Sequence, residues 1–304
     1  MCRLFGMSTG GPRVRASRWL LDAPSSLRAQ SHRMQHGAGL GWFSLGGEPI
    51  RDRAPVAAFE NADFDLHARN VVSHTFVAHV RDASVGGLTV RNCHPFVMND
   101  RLFAHNGVVK GQDAMRSWLS EIDRAPVVGE TDSELVFAYL TAEIRRHGDT
   151  TAGIVEAVRR IGAELPLFSL NFLLAEAGRL WALRYPESNE LWVLSPRDGG
   201  MSGEEPSADA YGSVPAVVVA SEPMDDDPGW RPLGPGELLV VDGVEETSMF
   251  PFVPPRLPLR RSDLSLREAA SQGVEGAGNG GPEADGPPFT AESAGMAVVS
   301  RPSV

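Results

Sequence analysis

The chain has 304 residues, of which 42 % are hydrophobic and 22 % charged, and its formal net charge is −11. That length can bury the core of one large domain or two modest ones, and the acidic balance argues against general binding to nucleic acid or to an anionic membrane surface. No apolar run approaches the roughly 18 residues of a membrane helix, and two cysteines, Cys2 and Cys93, cannot build a disulfide framework, so they fit a reducing compartment, most simply the cytoplasm.

Met1 to Ser8 is apolar enough for a first strand. It lacks a basic region, apolar stretch and cleavage site in series, which argues against a secretory leader and against a lipid-bearing Cys2. Gly39 to Leu45 predicts a second, glycine-rich strand. Val71 to Val80 predicts a third, with Val72, Phe76 and Ala78 on one face and Val71, Val77 and His79 on the other. Arg101 to His105 predicts a fourth, and Asn106-Gly107 directly after it is a hairpin-turn signal.

Helices are expected over Asp113 to Ile122, Asp132 to Arg146 and Thr151 to Ile161. The middle one opens on Thr131-Asp132-Ser133-Glu134, a capping box in which the Thr131 hydroxyl bonds the Glu134 amide and Glu134 reaches back. Strands return at Leu167 to Ala175, Arg179 to Arg184, Glu190 to Leu194, Ala216 to Ala220 and Glu237 to Val241. Strands, then helices, then strands again point to sheets covered by helices rather than to alternating βαβ units. From residue 251 the composition shifts. Residues 251–271 read as a proline-rich linker with a turn or two of helix capped by Ser262, and residues 272–304 as a disordered tail too poor in large apolar groups to offset its ordering entropy.

Several residues could carry chemistry. If Met1 is removed, Cys2 holds a thiol and a free α-amine on one residue. Their ordinary pKa values, about 8.5 and 7.7–8.0, make the amine a base for the thiol. Taken alone, Cys2 is equally well an incidental small residue near a terminus. The Asn106 amide and the Gly107 backbone N–H can point at one oxygen as an oxyanion hole; alone, they are a turn. Arg81 at a strand end can hold a carboxylate bidentately, with Ser84 just beyond it, or can be a surface ion pair. Asp132 can bind an ammonium or simply complement its helix dipole. His94 can line a pocket or be a satisfied structural histidine, and Cys93 reads as a buried small residue. A metal-dependent hydrolase would have to use His79, His94, His105 and the acidic run Asp225-Asp226-Asp227, without recognised ligand spacing.

The order of these pieces carries more than any one of them. Cys2, the segment Gly37 to Phe43, His79-Val80-Arg81, Asn92 to Phe96, Phe103 to Gly107 and Thr131 to Glu134 together resemble the class II glutamine amidotransferases, over about residues 2–250. The resemblance implies an α+β, four-layer αββα sandwich of the N-terminal-nucleophile hydrolase type. Leu21 to Leu27, Gln30-Ser31 and Ala220 to Trp230 make the chain most similar to the branch of ergothioneine-pathway γ-glutamyl hydrolases (the γ-glutamyl-hercynylcysteine sulfoxide hydrolase-like proteins). The implied roles are Cys2 as nucleophile with its own amine as base, Asn106 and Gly107 as oxyanion donors, and Arg81 and Asp132 holding the glutamyl α-carboxylate and α-ammonium. His94 and Ser84 join them on the substrate. The implied reaction passes through a γ-glutamyl thioester that water cleaves to glutamate. It needs no cofactor and no metal. The expected partner is a small γ-glutamyl compound, beside a synthase partner or a second copy of the chain.

One departure stands out: His36-Gly37 occupies the position where relatives carry Asp-Gly. The alternatives are a paralogue with another γ-glutamyl substrate, a glutaminase subunit supplying ammonia to a separate synthase, and a non-catalytic homologue.

Overall fold

A computed structural model describes residues 2–196 and 214–272 and the backbone of Val298–Ser300. Its strands are β1 (Arg3–Thr9), β2 (Ala38–Phe43), β3 (Pro49–Ala54), β4 (Thr75–Val80), β5 (Phe96–Met98), β6 (Arg101–Val109), β7 (Leu167–Glu176), β8 (Arg179–Leu183), β9 (Trp192–Leu194), β10 (Ala216–Ala220), β11 (Trp230–Pro232), β12 (Leu238–Asp242), β13 (Glu245–Met249) and β14 (Val298–Ser300). Two seven-stranded sheets result, ordered β11-β9-β10-β1-β4-β2-β3 and β14-β13-β12-β8-β7-β6-β5, and every pairing is antiparallel.

Side-chain alternation along the strands builds three apolar layers. Leu4 of β1, Val77 of β4, Leu102 and Ala104 of β6 and Leu173 of β7 pack between the sheets. Phe5, Met7, Phe76 and Ala78 face outward, against Trp19 and Leu20 of a short helical turn, Leu27 of α1 (Leu27–Gln30) and Phe64 and Ala68 of α2 (Ala62–Asn70). Phe103, Leu170, Phe172 and Leu174 face the other way, against Leu135, Phe137 and Leu140 of α5 (Asp132–His147) and Ile154, Val158 and Ile161 of α6 (Thr150–Glu164). Helices, sheet, sheet and helices make the expected α+β sandwich of four layers.

The differences from the expected elements have local causes. Asn106-Gly107 does not turn; β6 continues to Val109, paired with β7. The hairpin into β6 instead uses Asn99-Asp100, both at positive φ (45° and 60°), as a two-residue turn between Met98 and Arg101 requires. The third strand starts at Thr75 rather than Val71, because the Asn61 side chain caps α2 and that helix runs to Asn70. The helix expected over Asp113 to Ile122 divides into α3 (Gln112–Ser117) and α4 (Glu121–Arg124), the second capped by Ser120. The proposed capping box closes on one side only. Thr131 accepts from the Glu134 amide, whereas the Glu134 carboxylate takes the backbone N–H groups of Val128 and Gly129.

Residues 251–271 do not run as a free linker. Phe252 sits in the core beside Tyr185, Leu257 and Leu259 exchange backbone bonds with Leu167, and a short helix, α7 (Leu266–Ser271), is capped by Ser265 rather than Ser262. Of the tail expected to be disordered, Val298–Ser300 forms β14 and covers the open edge of β13, where two valines favour a strand. Residues 273–297 and 301–304 lie outside the described residues. Among the described residues, no helix is long and apolar enough to cross a membrane.

Candidate active site

Cys2 immediately precedes β1, and three contacts fix that strand end. Leu4 exchanges bonds with Ser221, its N–H donating to the hydroxyl at 2.9 Å and its carbonyl accepting from the Ser221 amide. Arg3 pairs with Glu222 at 2.6 Å. The Cys2 carbonyl accepts from Asn106 Nδ2 at 2.9 Å. The stretch following β10 therefore works as a clamp on the entry to β1. Its acidic residue Asp225 is engaged elsewhere, with Arg18 at 2.8 Å and with the Trp230 indole N–H.

The thiol lies half-buried against the loop after β4. The Asp82 N–H donates to Cys2 Sγ at 3.1 Å, and the thiol donates to the Asp82 carbonyl at 3.3 Å. Burial raises the thiol pKa above its ordinary value, while the Asp82 backbone N–H and the Arg81 charge act in the other direction. A thiol in that setting is protonated near neutrality and requires a base to become a nucleophile.

Arg81 is buried, and its guanidinium donates to the carbonyls of Val85 at 2.8 Å and Gly87 at 3.1 Å. Those two bonds hold the 82–87 loop in a curl and leave donors of its five for a carboxylate. Glu130 braces the same loop by accepting from the Gly87 amide at 2.9 Å. Across the cleft, Asp132 opens α5. Its Oδ2 accepts from Val109 N–H at 2.8 Å and its Oδ1 from Ser133 N–H at 2.9 Å. The carboxylate thus serves the helix end while it lines the cleft.

All seven residues singled out from the sequence line one cleft holding about 360 Å³ of space, part of it open to solvent: Cys2, Arg81, Ser84, His94, Asn106, Gly107 and Asp132. Gly107 is there because nothing larger fits. A Cβ at that position would sit 1.9 Å from the Ser169 carbonyl oxygen, backbone of the neighbouring strand.

A group of buried histidines adjoins the cleft, His94 and His105 in its lining and His79 behind them. The His79 and His94 rings are 4.2 Å apart. Among the described residues, neither nitrogen of His79 or His94 has a hydrogen-bond partner, while His105 Nδ1 meets the Ser133 hydroxyl at 2.9 Å. Burial, with Arg81 adding to it, holds His79 down to about 3. Burial and the neighbouring rings hold His94 well below its ordinary value, and burial lowers His105 against the pull of Asp132. All three are neutral imidazoles at neutral pH. Among the described residues, no three of His, Cys, Asp or Glu are grouped to hold a metal ion, and the Asp225 loop is not part of this cluster.

His36 meets Asp82 side chain to side chain, its Nδ1 lying 2.9 Å from Oδ1, and the Ala83 N–H reaches the same nitrogen at 3.1 Å. His36 thus holds the loop that touches the Cys2 thiol. Sequence reading missed Ser133, Val85 and Gln272 as cleft-lining residues. Ser133 and Val85 adjoin residues that carried a signal. Gln272 had none, since it stands at the start of the stretch read as tail.

The family model for class-II glutamine amidotransferases matches residues 1–252. The chain belongs to that family. Among curated relatives, the γ-glutamyl-hercynylcysteine sulfoxide hydrolase of Mycobacterium tuberculosis (strain ATCC 25618 / H37Rv) is 34 % identical over 242 residues, covering 76 % of this chain and 88 % of that protein. The protein of the same name from Mycolicibacterium smegmatis is 31 % identical, covering 76 % and 91 %. Among solved structures, a glutamine aminotransferase class-II domain protein from Silicibacter pomeroyi superposes with a TM-score of 0.61 at 21 % identity, over 83 % of this chain and 99 % of that one. The glutamine phosphoribosylpyrophosphate amidotransferase of Bacillus subtilis does so at 0.59 and 20 %, over 81 % of this chain and 48 % of that one. These last two bear on the fold. The family and its hydrolase-named members make the chain an enzyme that hydrolyses amide bonds.

Proposed function

We propose that this enzyme is an N-terminal-cysteine amidohydrolase that cleaves the γ-glutamyl amide bond of a small γ-glutamyl compound and releases glutamate. The observation that carries the reading is one cleft containing a thiol, an amide and glycine pair on a strand of the second sheet, and one buried cation and one buried anion. A glutamyl headgroup is a zwitterion, with a carboxylate for Arg81 and an ammonium for Asp132. Binding both ends fixes where its γ-carbonyl lies, and that positioning is itself a large part of catalysis.

On this reading Met1 is removed, and the exposed α-amine of Cys2 takes the thiol proton. Sγ attacks the γ-carbonyl carbon, and the oxyanion is met by Asn106 and Gly107. The amine returns the proton to the leaving nitrogen as the C–N bond breaks. Water, deprotonated by the same amine, then attacks the γ-glutamyl thioester, and glutamate leaves as the thiol is restored. Asn106 Nδ2 already bonds the Cys2 carbonyl, so nucleophile and oxyanion donor are registered to each other before substrate arrives. The relatives named γ-glutamyl-hercynylcysteine sulfoxide hydrolase support a sulfur-containing γ-glutamyl substrate of the ergothioneine-pathway kind.

The test is glutamate release from a panel containing free glutamine and γ-glutamyl amides of cysteine-derived thioethers and sulfoxides, with loss of Met1 verified by intact mass. Preferential cleavage of a sulfur-containing member is the expected result. Preference for free glutamine would replace this reading with that of a glutaminase supplying ammonia to a separate synthase. No release from any member by protein with Cys2 exposed would overturn both.

A further inference from the structure

The family match ends at residue 252, yet a residue twenty positions beyond it lines the cleft. The chain that carries it there is a docked strap. Pro251 O accepts from Arg159 Nε, Val253 O from the Tyr185 hydroxyl at 2.9 Å, and Gly162 O from Arg256 N–H at 2.8 Å. The strap then bonds Leu167 through Leu257 and Leu259. Lys110, the sole lysine of the sequence, sits one residue past the end of β6. It donates to the Asp263 carbonyl at 2.9 Å and lies 3.6 Å from the Glu268 carboxylate. Helix α7 follows and delivers Ser271 and Gln272, 1 % and 4 % exposed.

The Gln272 carboxamide has a fixed orientation. Its Oε1 accepts from Asn189 Nδ2 at 2.8 Å and its Nε2 donates to the Ser271 hydroxyl at 3.1 Å. Asn189 is bound in turn by Asn171, whose Nδ2 donates to the Asn189 carbonyl at 3.0 Å, and Asn171 is the register partner of Asn106 across β7 and β6. Hydrogen bonds therefore run from Gln272 through Asn189 to Asn171, which stands in register beside Asn106. A primary carboxamide has two donors and two acceptor lone pairs; the two bonds leave one of each uncommitted among the described residues. An apolar side chain would seal the cleft wall as well, without the cost of burying an amide.

We propose that the strap 251–272 is part of the substrate site and that Gln272 is a specificity-determining residue whose carboxamide bonds a polar group of the substrate held at Cys2. The proposal rests on the γ-glutamyl reading for the identity of that substrate, but not for the placement of Gln272. It gives the enzyme a recognition element outside the family domain.

Two variants test it through separate readouts. Gln272→Met keeps the length and removes the hydrogen bonding. For the best substrate of the panel, KM should rise about tenfold, the size of one lost hydrogen bond, with kcat within about twofold, and selectivity over the poorest cleaved member should shrink by a similar factor. An unchanged KM, or an equal fall in kcat for every substrate, would overturn the proposal. Gln272→Glu places a negative charge in the cleft, and alkylation of Cys2 is followed by peptide mass spectrometry with neutral iodoacetamide and anionic iodoacetate. The iodoacetate rate should fall several-fold relative to iodoacetamide when compared with the unaltered enzyme. An unchanged ratio would show that Gln272 does not face the nucleophile. This second arm needs no turnover, so it decides the placement even where no γ-glutamyl amide is cleaved and the functional reading itself has failed. Because each arm uses its own variant, misfolding of one leaves the other decisive.

Discussion

The two walls of the cleft are built from different chemistry. The first sheet contributes ionisable groups held by backbone: the Cys2 thiol between the N–H and carbonyl of Asp82, and the Arg81 guanidinium on the carbonyls of Val85 and Gly87. The second contributes mainly neutral groups: Asn106 on the Cys2 carbonyl and His105 on the Ser133 hydroxyl, with Gln272 joined to Asn189 and Asn189 to Asn171 beside them. Charge on the first wall can respond to a proton or a substrate. The second wall is held by neutral hydrogen bonds and has little to rearrange. Asp132 is the exception on the second wall, and it too is fixed through backbone N–H groups.

The largest expected difference between the walls is in turnover. Cys2→Ala should abolish hydrolysis, a loss of about 10⁴-fold or more, whereas Cys93→Ala should leave it nearly intact. Cys93 is fully buried, and its thiol donates to the Thr89 carbonyl. Equal losses in the two variants would refute the assignment of the nucleophile. Next comes the split between walls. Asn106→Ala should lower kcat about 10²–10³-fold with little change in KM, the behaviour of a lost oxyanion donor. Arg81→Lys should raise KM about tenfold or more, because an ammonium cannot grip a carboxylate and two carbonyls with one rigid fork. Steady-state kinetics that showed both effects in the same parameter would dissolve the distinction.

Acid should then act on the neutral histidines first. In the fold His79 is held down to about 3, while in the unfolded chain it titrates near 6.5. Between those values the unfolded state binds the extra proton, so stability is complete above pH 6.5 and falls as pH drops towards 3. From pH 6.5 to 5 the loss attributable to His79 is about 2 kcal/mol. Urea denaturation at the two pH values measures it, and His79→Gln should flatten the dependence. A steeper dependence in that variant would contradict the sign.

Much of this site was legible in the sequence, because its chemistry sits in short runs with their own signatures. Cys2 stands at a strand start, Arg81 at a strand end and Asp132 at a capped helix start, and these are places where side chains meet a cleft rim. Sheets covered by helices could be read from the succession of strands and helices, whereas the four layers followed from the resemblance. What stayed hidden depends on long-range partners. β3 reads Pro-Ile-Arg-Asp-Arg-Ala, an edge strand with no alternation to betray it. Asn106-Gly107 reads locally as a turn, and only pairing with β7 keeps it extended, the glycine being demanded by the Ser169 carbonyl on that distant strand. Gln272 lacks a local signal altogether. Its position follows from the Lys110 and Leu167 contacts that pin a polar, proline-rich segment.

The smallest effect concerns the first wall alone and His36, which reaches the loop beside the thiol. His36 Nδ1 faces two groups with opposite demands, the Ala83 N–H, which needs a bare nitrogen, and the Asp82 carboxylate, which needs a protonated one. Only one can be satisfied at a time. That loop carries the Asp82 N–H on which the thiol rests. His36→Ala should free the loop and lower kcat/KM by about two- to fivefold, the scale of a lost, partly exposed hydrogen bond, without altering the oxyanion wall. His36→Asp places a carboxylate against Asp82, so like charges meet and the loop should be displaced rather than held. Steady-state kcat/KM of the two variants checks this, and values equal to that of the parent enzyme in both would mean that His36 merely covers the loop.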